Sequence, residues 1–452
     1  MRRTLSLLCA AALTVTGAVL SAPVAAAPSD PSSRPAAAPP SAPGEGLVTY
    51  AEGVTSTTRA AVRHSVQASL DQQIVAARAD RAEVELLRVP SAARDAVIAT
   101  LNDHPAVTAA EPNWIYTKQA TSTDPFFTDG RLWGMYGDRS SPANQFGSQA
   151  AEAWANDVTG SANVYVGVID EGIQFSHPDL SGQVWTNPHD PVDGIDNDGN
   201  GFVDDANGWD FFNDDRTVYD GTQDDHGTHV AGTIGAKANT IGPVGVNWNI
   251  TMISTKFLGP SGGFTSDAVL ALDYLKDLKT RHGLNIVATN NSWGGGGFSQ
   301  ALLDAIGRNA TAGILFVAAA GNGGYNNDTF PSYPASYNTT SIAGYDSVIA
   351  VAAIDKFGAL AGFSQFGQTS VDLGAPGVDV WSTVPNNAYA SYNGTSMATP
   401  HVTGGLALIS SAFPTLPANK LKTALLRYGV TPTASLNGKT VTGGRLDLSR
   451  LG

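Results

Sequence analysis

The chain is almost free of cysteine: of its 452 residues only Cys9 carries a thiol. Charged residues are also scarce, at 15%, and acidic residues outnumber basic ones by 40 to 26, which gives a formal net charge of -14. An acidic balance argues against nucleic acid as a partner. Because Cys9 lies in a segment that we expect to be removed, the mature protein should have no disulfide, and its stability should come from its core or from bound metal.

Beyond residue 27 no apolar run is long enough to span a membrane. Residues 1–27 combine Arg2 and Arg3, an apolar stretch from Leu5 to Leu20 and a final run of alanines, which is the pattern of a secretory signal. The alternative is a membrane anchor, for which the apolar run is short. We therefore expect a secreted, extracellular protein with no membrane segment once the signal is removed.

The rest of the chain divides by composition. Residues 28–44 are rich in proline, alanine and serine, which predicts a disordered linker. Residues 45–118 alternate between strand and helix patterns, and residues 119–123 form a polar break. The predicted strands are Leu47–Tyr50, Val84–Val89 and Val107–Tyr116, and the predicted helices are Thr58–Ala77 and Ala92–Asn102. This order favours a small α+β module.

Residues 124–452 alternate apolar strand patterns with helical ones. The predicted strands are Val164–Ile169, Thr251–Phe257, Ile286–Thr289, Ile314–Ala318 and Val348–Ala353, and the predicted helices are His229–Gly235, Ser266–His282, Ser299–Thr311 and Gly404–Phe413. Strands that are apolar at nearly every position are typical of sheets buried on both faces. We therefore predict an α/β fold, a mostly parallel sheet with helices on both faces.

A serine among small residues precedes the last predicted helix, in residues 393–401 (NGTSMATPH). Ser396 would lie at a loop-to-helix junction, with its hydroxyl near the positive end of the helix dipole. We expect Pro400 in the first turn, where a missing N–H is tolerated. The alternative is a helix cap, which is the commoner role of such a serine. A nucleophile would need a base elsewhere in the chain.

Two upstream residues are candidates for that base and its partner. Asp170 ends the first buried strand, where open α/β sheets place ligands, although it could simply cap a turn. His226 precedes a helical run of small residues and could take a proton from a hydroxyl near neutral pH, held in the right tautomer by a carboxylate. The rival hypothesis is zinc bound by His226 and His229, but no HExxH motif supports it.

Asn322 follows the apolar strand pattern that ends at Ala320, within residues 321–324 (GNGG). Its side-chain amide could donate to a developing oxyanion. On local grounds alone an Asn-Gly turn is the alternative.

The four candidates occur in the order Asp170, His226, Asn322, Ser396, and aspartate, histidine, serine is the chain order of subtilisin. They lie in four separate motifs: residues 168–173 (VIDEGI), 226–232 (HGTHVAG), 320–322 (AGN) and 394–401 (GTSMATPH). With these motifs, residues 124–452 resemble the subtilisin-like serine proteases (subtilases).

The resemblance implies a three-layer subtilisin-like domain that hydrolyses protein or peptide substrates. Ser396 would attack the peptide carbonyl, and His226 would act as base and then as acid. Asp170 would orient His226, and Asn322 with the Ser396 backbone N–H would hold the oxyanion. We expect a monomer.

The resemblance also implies two walls for the substrate. One wall would be Ser292, Trp293 and Gly294, and the other Ala318, Ala319, Ala320 and Gly321. Small residues on both walls predict an open pocket with broad, apolar or aromatic preference. Trp293 stands where many relatives have leucine, and its alternative role is core packing.

The module at residues 45–118 resembles the inhibitor-like propeptide of subtilases, which would assist folding and block the cleft of a zymogen until self-cleavage within residues 119–123. An ordinary accessory domain is the alternative.

Calcium is the cofactor that the resemblance implies. The loop at residues 235–245 resembles the calcium loop of the family, and calcium prefers oxygen ligands. The expected ligands are the side chains of Asp124, Asp179 and Asn239 and the carbonyls of Lys237, Ile241 and Pro243. A second candidate, residues 196–204, fits the first half of an EF-hand loop, with a solvated acidic loop as the alternative. Its expected ligands are Asp196, Asp198, Asn200 and Asp204.

Three other functions stay open at this point. The first is a non-catalytic calcium-binding or inhibitor-like module on the same fold, against which the four catalytic residue types count. The second is a narrow processing peptidase, and the third is an esterase that uses the same triad.

Overall fold

The structure, a computed structural model, describes residues 41–75, 83–114 and 121–451. The chain forms two compact units, Met1–Tyr116 and Thr117–Gly452. The predicted signal, most of the predicted linker and residues 119–120 lie outside the described residues. Within the described residues, no helix is both long and apolar enough to cross a membrane.

The first unit is a four-stranded antiparallel sheet with two helices. The strands are β1 (Ser41–Tyr50), β2 (Ser69–Val75), β3 (Val84–Arg88) and β4 (Val107–Trp114), and the helices are α1 (Ser56–Ser65) and α2 (Arg94–Asn102). The sheet order is β2-β3-β1-β4. The unit has its own small core, formed by Val48, Tyr50, Val62, Leu87, Leu101 and Ala110. The last residues of the predicted linker, Ser41 to Gly44, belong to β1, because pairing with β4 begins at Ser41.

The predicted helix Thr58–Ala77 is wrong in its second half. Helix α1 ends at Ser65, Gln67 takes a left-handed φ of 56°, and β2 follows. Leu70 and Ile74 are four residues apart and so fit a helical period, yet both are exposed on β2. Pairing of β2 with β3 supplies the backbone hydrogen bonds, and such a partner distant in sequence does not show in local periodicity.

The second unit is built on a nine-stranded sheet of order β16-β17-β13-β12-β11-β10-β5-β7-β6, in which the β16–β17 pair is antiparallel and the other pairs are parallel. The strands of this unit are β5 (Gly160–Asp170), β6 (Gly208–Asp210), β7 (Asn249–Lys256), β8 (Leu258–Gly259), β9 (Gly262–Gly263), β10 (Ile286–Asn291), β11 (Leu315–Ala319), β12 (Val348–Ile354), β13 (Leu373–Pro376), β14 (Val380–Val384), β15 (Ala388–Tyr392), β16 (Val430–Pro432) and β17 (Gly444–Leu446). The pairs β14–β15 and β8–β9 form separate two-stranded sheets.

Helices cover both faces of this sheet. The helices are α3 (Pro125–Thr128), α4 (Ala150–Ala155), α5 (Asp225–Gly235), α6 (Thr265–His282), α7 (Gln300–Thr311), α8 (Thr340–Ala343), α9 (Thr395–Ala412) and α10 (Ala418–Tyr428). One core contains apolar residues of α5 and α9, and the other contains those of α6 and α7. On β5, Val168 belongs to the first core and its neighbour Ile169 to the second, as expected for a strand buried on both faces. The predicted α/β fold with three layers is confirmed.

Helix α9 begins nine residues before the predicted start at Gly404 and contains Pro400 in its interior. The expectation that Pro400 lies in the first turn is therefore wrong. A proline inside a helix removes one i→i−4 hydrogen bond, in this case the bond to the Ser396 carbonyl. That carbonyl is satisfied by a side chain instead, as described below, and this partner is what the local sequence could not reveal.

His401 is fully buried in α9 and should make the unit sensitive to acid. Burial lowers the pKa of His401 to about 4, although its Nδ1 donates a hydrogen bond to the Met397 carbonyl. The unfolded chain binds this proton below about pH 6.5, so stability is lost as the pH falls from 6.5 through 4, by about 3 kcal/mol from this residue. The predicted result is a steeper loss of melting temperature over this range in the wild type than in His401→Asn. Parallel curves for the two proteins would contradict the prediction.

Candidate active site

Asp170 and His226 meet at the carboxyl edge of the parallel sheet. Asp170 is the last residue of β5, and His226 lies in the first turn of α5, with 2.8 Å between Asp170 Oδ1 and His226 Nδ1. Asp170 is fully buried, and its Oδ1 also accepts the Glu171 backbone N–H at 2.8 Å. The contact keeps the proton on Nδ1 and leaves Nε2 free as the basic nitrogen.

Glycine lets the helix come this close to the strand. A Cβ on Gly227 would lie 2.2 Å from the Gly172 carbonyl oxygen and 3.2 Å from Asp170 Oδ1. Any larger residue at position 227 would therefore push α5, and His226 with it, away from the sheet edge.

The imidazole of His226 is held in an acidic environment. Burial alone would lower its pKa, but the negative charge and hydrogen bond of Asp170, with the charges of Glu171 and Asp225, outweigh burial and raise it above the ordinary value. The side chain of His226 stays 27% exposed, so its imidazole can be reached from solvent.

Ser396 lies near the start of α9 and shares a cleft with His226. A cavity of about 430 Å³ is lined by His226, Asn322, Ser391, Tyr392, Asn393, Ser396 and Met397. In this structure the Ser396 hydroxyl donates to the Ser292 carbonyl at 3.0 Å. Because a hydroxyl has one proton, it must turn from Ser292 toward His226 before the histidine can accept that proton.

The backbone carbonyl of Ser396 shows how this residue is held in place. Pro400 has no N–H to donate to it, and the Ser292 hydroxyl donates instead, at 2.8 Å. Asn290 donates to that hydroxyl at 2.9 Å, and Thr403 in turn donates to Asn290 at 2.9 Å. This chain of hydrogen bonds ties the end of β10 to α9. Sequence reasoning found Ser292 as a substrate wall but missed Asn290 and Thr403.

Asn322 follows β11 and is oriented by Thr395. The Asn322 Oδ1 accepts both the backbone N–H and the hydroxyl of Thr395, each at 2.9 Å. The Thr395 Oγ1 also accepts the Gly321 N–H at 3.2 Å. With Oδ1 occupied, the Asn322 amide presents its Nδ2–H group to the cleft, beside Gly394. Sequence reasoning missed Thr395; the hydroxyl next to Ser396 in the motif was the available signal.

A second pocket, of about 210 Å³, adjoins Ser396. Its lining is Trp293, Gly294, Gly295, Ala319, Gly321, Asn322, Tyr325, Ser332, Gln365, Thr395 and Ser396. The predicted wall residues Trp293, Gly294, Ala319 and Gly321 are among them, whereas Ser292, Ala318 and Ala320 are buried outside the lining. Sequence reasoning missed Tyr325, Ser332 and Gln365, which come from loops after β11 and β12. Among the residues that the structure describes, none with a charged side chain lines this pocket.

Trp293 combines the two roles that the sequence left open. Its ring packs edge-on against Phe257 at 4.8 Å and lies 6.3 Å from Phe316, within the core on the α6 and α7 face. The same residue lines the pocket.

The neighbouring His229 is a packing residue. Its ring stacks on Tyr392 at 4.5 Å, and its Nε2 donates to the Val380 carbonyl at 3.0 Å.

The first calcium candidate brings its side chains together. Asp124 and Asp179 are buried, Asp124 Oδ1 accepts the Asn239 N–H at 3.0 Å, and Asp179 Oδ1 accepts the Asn239 amide at 2.8 Å. Asp179 Oδ2 has no hydrogen-bond donor within the described part of the chain. A buried carboxylate oxygen without a donor fits a cation. Lys237, Ile241 and Pro243 lie in the loop that carries Asn239.

The described residues contain no group of three or more histidine, cysteine or acidic side chains arranged to hold a metal. A cation at this place would depend on mixed carboxylate, amide and carbonyl oxygens.

The structure brings together only some of the side chains of the second calcium candidate, residues 196–204. Asp196 accepts the N–H groups of the glycines that follow it, and Asn200 donates to Asp198 at 3.4 Å. Asp204 takes a left-handed φ of 61°, and its carboxylate contacts Arg216 at 3.1 Å instead of this loop. Asp205 takes its place, accepting from Asn200 at 2.8 Å. The EF-hand spacing predicted that Asp204 would join the other three side chains, and in the structure Asp205 does so instead. The described part of this loop is not flanked by the helix pair that holds an EF-hand loop in shape.

Comparisons with known proteins agree with this geometry. The subtilase family (Peptidase S8) matches residues 161–441. Subtilisin DY from Bacillus licheniformis is 40% identical over 266 residues, covering 58% of this chain and 82% of that protein. A thermophilic serine proteinase from Bacillus sp. (strain AK1) is 33% identical over 373 residues, covering 81% and 78%. A solved structure of a protease from Pseudoalteromonas arctica matches with a TM-score of 0.56 and 27% identity, covering 73% of this chain and 98% of that one.

A parallel sheet that carries aspartate, histidine and serine at one cleft defines a serine hydrolase. The matches specify which one: the chain belongs to the subtilase family, and it is a serine-type endopeptidase that acts on protein or peptide substrates. The non-catalytic and esterase alternatives are set aside.

Asn322→Ala should lower kcat by about 10²–10³ with little change in KM, a range taken from the equivalent residue of subtilisin. Thr395→Val removes one of the two bonds that orient Asn322 and should cost about tenfold in kcat, the value of one hydrogen bond. Steady-state kinetics on a peptide anilide would measure both. A rise in KM with kcat unchanged would show that Asn322 binds the ground state and not the oxyanion.

Proposed function

We propose that the protein is a secreted, self-processed endopeptidase that cleaves peptide bonds through an acyl-enzyme on Ser396. The observation that carries this proposal is the 2.8 Å contact between Asp170 and His226 beside a cleft that Ser396 and Asn322 also line. The signal pattern of residues 1–27 supports export, and we propose that the enzyme acts outside the cell as a monomer.

The catalytic steps follow from these positions. The Ser396 hydroxyl turns from Ser292, gives its proton to His226 and attacks the substrate carbonyl. The oxyanion that forms is held by the Asn322 amide and the Ser396 N–H, while Asp170 stabilises the imidazolium. His226 then gives the proton to the leaving amine, and water releases the acyl group by the same route in reverse.

The pocket beside Ser396 supports a broad preference for apolar or aromatic side chains before the cut. Its lining combines Ala319 and glycines with the ring of Trp293, and polar side chains such as Ser332 and Gln365 complete it. Among the described residues, none that lines it carries a charge to pair with an acidic or basic side chain. The alternative of a narrow processing peptidase differs in the outcome of cleavage profiling on a random peptide library. A broad apolar profile supports our proposal, and a single strict motif would favour the alternative.

We propose that the first unit is the propeptide, an intramolecular chaperone and inhibitor removed by cleavage within residues 119–123. Three observations support this: the unit precedes the catalytic unit, it has a core of its own, and it resembles subtilase propeptides. The match to the strain AK1 proteinase covers 81% of this chain, which is more than Thr117–Gly452 alone occupies.

Ser396→Ala should leave the precursor uncut, because the same serine would cleave the junction. N-terminal sequencing of the secreted wild type should give a start within residues 119–123, and of the variant a start ahead of residue 45. The matched control is Ser411→Ala, a serine further along α9 that is outside the cleft and should mature normally. Spontaneous maturation of the Ser396 variant in a host without other proteases would contradict self-processing.

We propose that calcium stabilises the catalytic unit at Asp124, Asp179 and Asn239. Bound calcium would supply positive charge to two buried carboxylates. The loop of Asp196, Asp198 and Asn200, with Asp205, is a second, less complete candidate. The orphan Oδ2 of Asp179 supports the first site. Burial, with the neighbouring Asp179 carboxylate, raises the pKa of the Tyr389 phenol, so this phenol stays neutral and does not offset the charge of the two carboxylates.

Chelation should lower the melting temperature of the Ser396→Ala protein by about 5–10 °C when calcium had been present at about a thousand times its Kd. Added calcium should restore it. Asp179→Asn should melt at the lower temperature with or without chelator, whereas Asp157→Asn, an exposed position, should respond like the parent. An unchanged melt of the parent in chelator would contradict the calcium proposal.

A further inference from the structure

One carboxylate beside the catalytic base has no role in the steps above. Glu171 follows Asp170 at the end of β5, and its Oε2 accepts the backbone N–H of His226 at 3.2 Å. It is partly buried, and its charge is one of those that raise the pKa of His226. Glu171 therefore lies at the start of α5, next to the residue that must accept the proton from Ser396.

The other charged groups around His226 come from its own helix and from two neighbouring strands. On α5, Asp225 adds a third negative charge, and Tyr392 from β15 donates its hydroxyl to Asp225 at 2.5 Å. The cation from β7, Lys256, is already engaged: its Nζ contacts Asp224 at 2.5 Å and Asp220 at 3.2 Å.

The nearest imidazole adds no charge. Burial lowers the pKa of His229, one turn further along α5, to about 3, so it stays neutral at working pH. The net charge around the His226 imidazole is therefore negative. Substitution of Glu171 by an uncharged residue would remove part of that charge.

We propose that Glu171 sets the pH range in which His226 works as the base, by placing a second carboxylate charge beside the charge of Asp170. This inference rests on the proposed function, in which His226 takes the proton of Ser396. Glu171 does not touch the reacting atoms and is a positioning residue that acts through His226. Its carboxylate stabilises the imidazolium that forms during the reaction, and for the same reason it shifts the free base to higher pH.

The ionisation of Glu171 itself falls in the working range. Burial, with the negative charge of Asp170, raises the pKa of Glu171 to about 7. Above that pH the carboxylate is charged and holds the proton on His226 more strongly. Below it the carboxyl group is neutral, and Asp170 and Asp225 act on the imidazole without it.

A purely structural role for Glu171 predicts something different. As a cap, it would only hold the first turn of α5 through the His226 N–H. Glutamine can accept the same hydrogen bond through its side-chain oxygen and has the same shape, but it has no charge. Replacement by glutamine therefore separates the charge from the cap.

The experiment is the dependence of kcat/KM on pH between 5 and 11, with a neutral peptide anilide, for the wild type and Glu171→Gln. We expect the acidic limb of Glu171→Gln to move to lower pH by about one unit, as for loss of one nearby charge. Glu171→Asp should restore the wild-type midpoint, and 1 M NaCl should reduce the difference between wild type and Glu171→Gln.

Asp157→Asn is the matched control for net charge. Asp157 is exposed and precedes the opposite end of β5, about 35 Å along the strand from Asp170. The acidic limb of kcat/KM for Asp157→Asn should have the same pH midpoint as that of the wild type. If Glu171→Gln does not fold, Glu171→Ser, whose hydroxyl is also uncharged, should show the same shift.

An unmoved midpoint in the uncharged variants, with activity lowered equally at every pH, would overturn the inference and leave Glu171 as a cap. A shift of equal size in Asp157→Asn would also overturn it. Either result leaves the proposed function standing. His226→Ala tests that function separately: if this variant kept the wild-type rate and acidic limb, the base would be another residue, and both proposals would fail.

Discussion

The hydrogen bond between Asp170 and His226 is the contact on which the other features of the cleft depend. It joins a strand end to a helix start that are 56 positions apart in the chain. The parallel sheet makes it feasible, because β5 lies between β10 and β7 and delivers a buried carboxylate to the carboxyl edge of the sheet. Because Asp170 is fully buried, its charge acts on the imidazole with little screening by bulk solvent.

Helix α5 packs unusually close to two strands around this contact. Gly227 allows α5 to touch β5, and a Cβ on Gly232 would lie 2.2 Å from the Thr383 hydroxyl oxygen, so α5 is also close to β14. On the other side of the cleft, Pro400 frees the Ser396 carbonyl for Ser292. The missing side chains of Gly227 and Gly232 and the missing N–H of Pro400 thus allow the contacts that position His226 and Ser396.

Much of this arrangement could be predicted because its signals are local. Asp170 follows a run of apolar residues, His226 and Ser396 lie in motifs of small residues, and strands buried on both faces are recognisable without a partner. What could not be predicted depends on contacts across space. Strand β2 is defined by β3, and Thr395 acts only through Asn322. The pocket residues of loops after β11 and β12 meet Ser396 only in the folded chain, and the turn at Asp204 removes it from a loop that its spacing had favoured.

The central claim is that Asp170, His226 and Ser396 act as one unit, and comparison of single and double variants tests it most directly. Residual kcat should be measured on one peptide substrate for Ser396→Ala, His226→Ala and the double variant, each first cut at the junction by added wild-type enzyme that is then removed, because none of the three would release its own first unit. Groups that share a single proton transfer are strongly non-additive, so the account predicts that each single variant loses nearly as much as the double. A His226 variant that keeps most of the wild-type rate, or losses that multiply in the double variant, would contradict it.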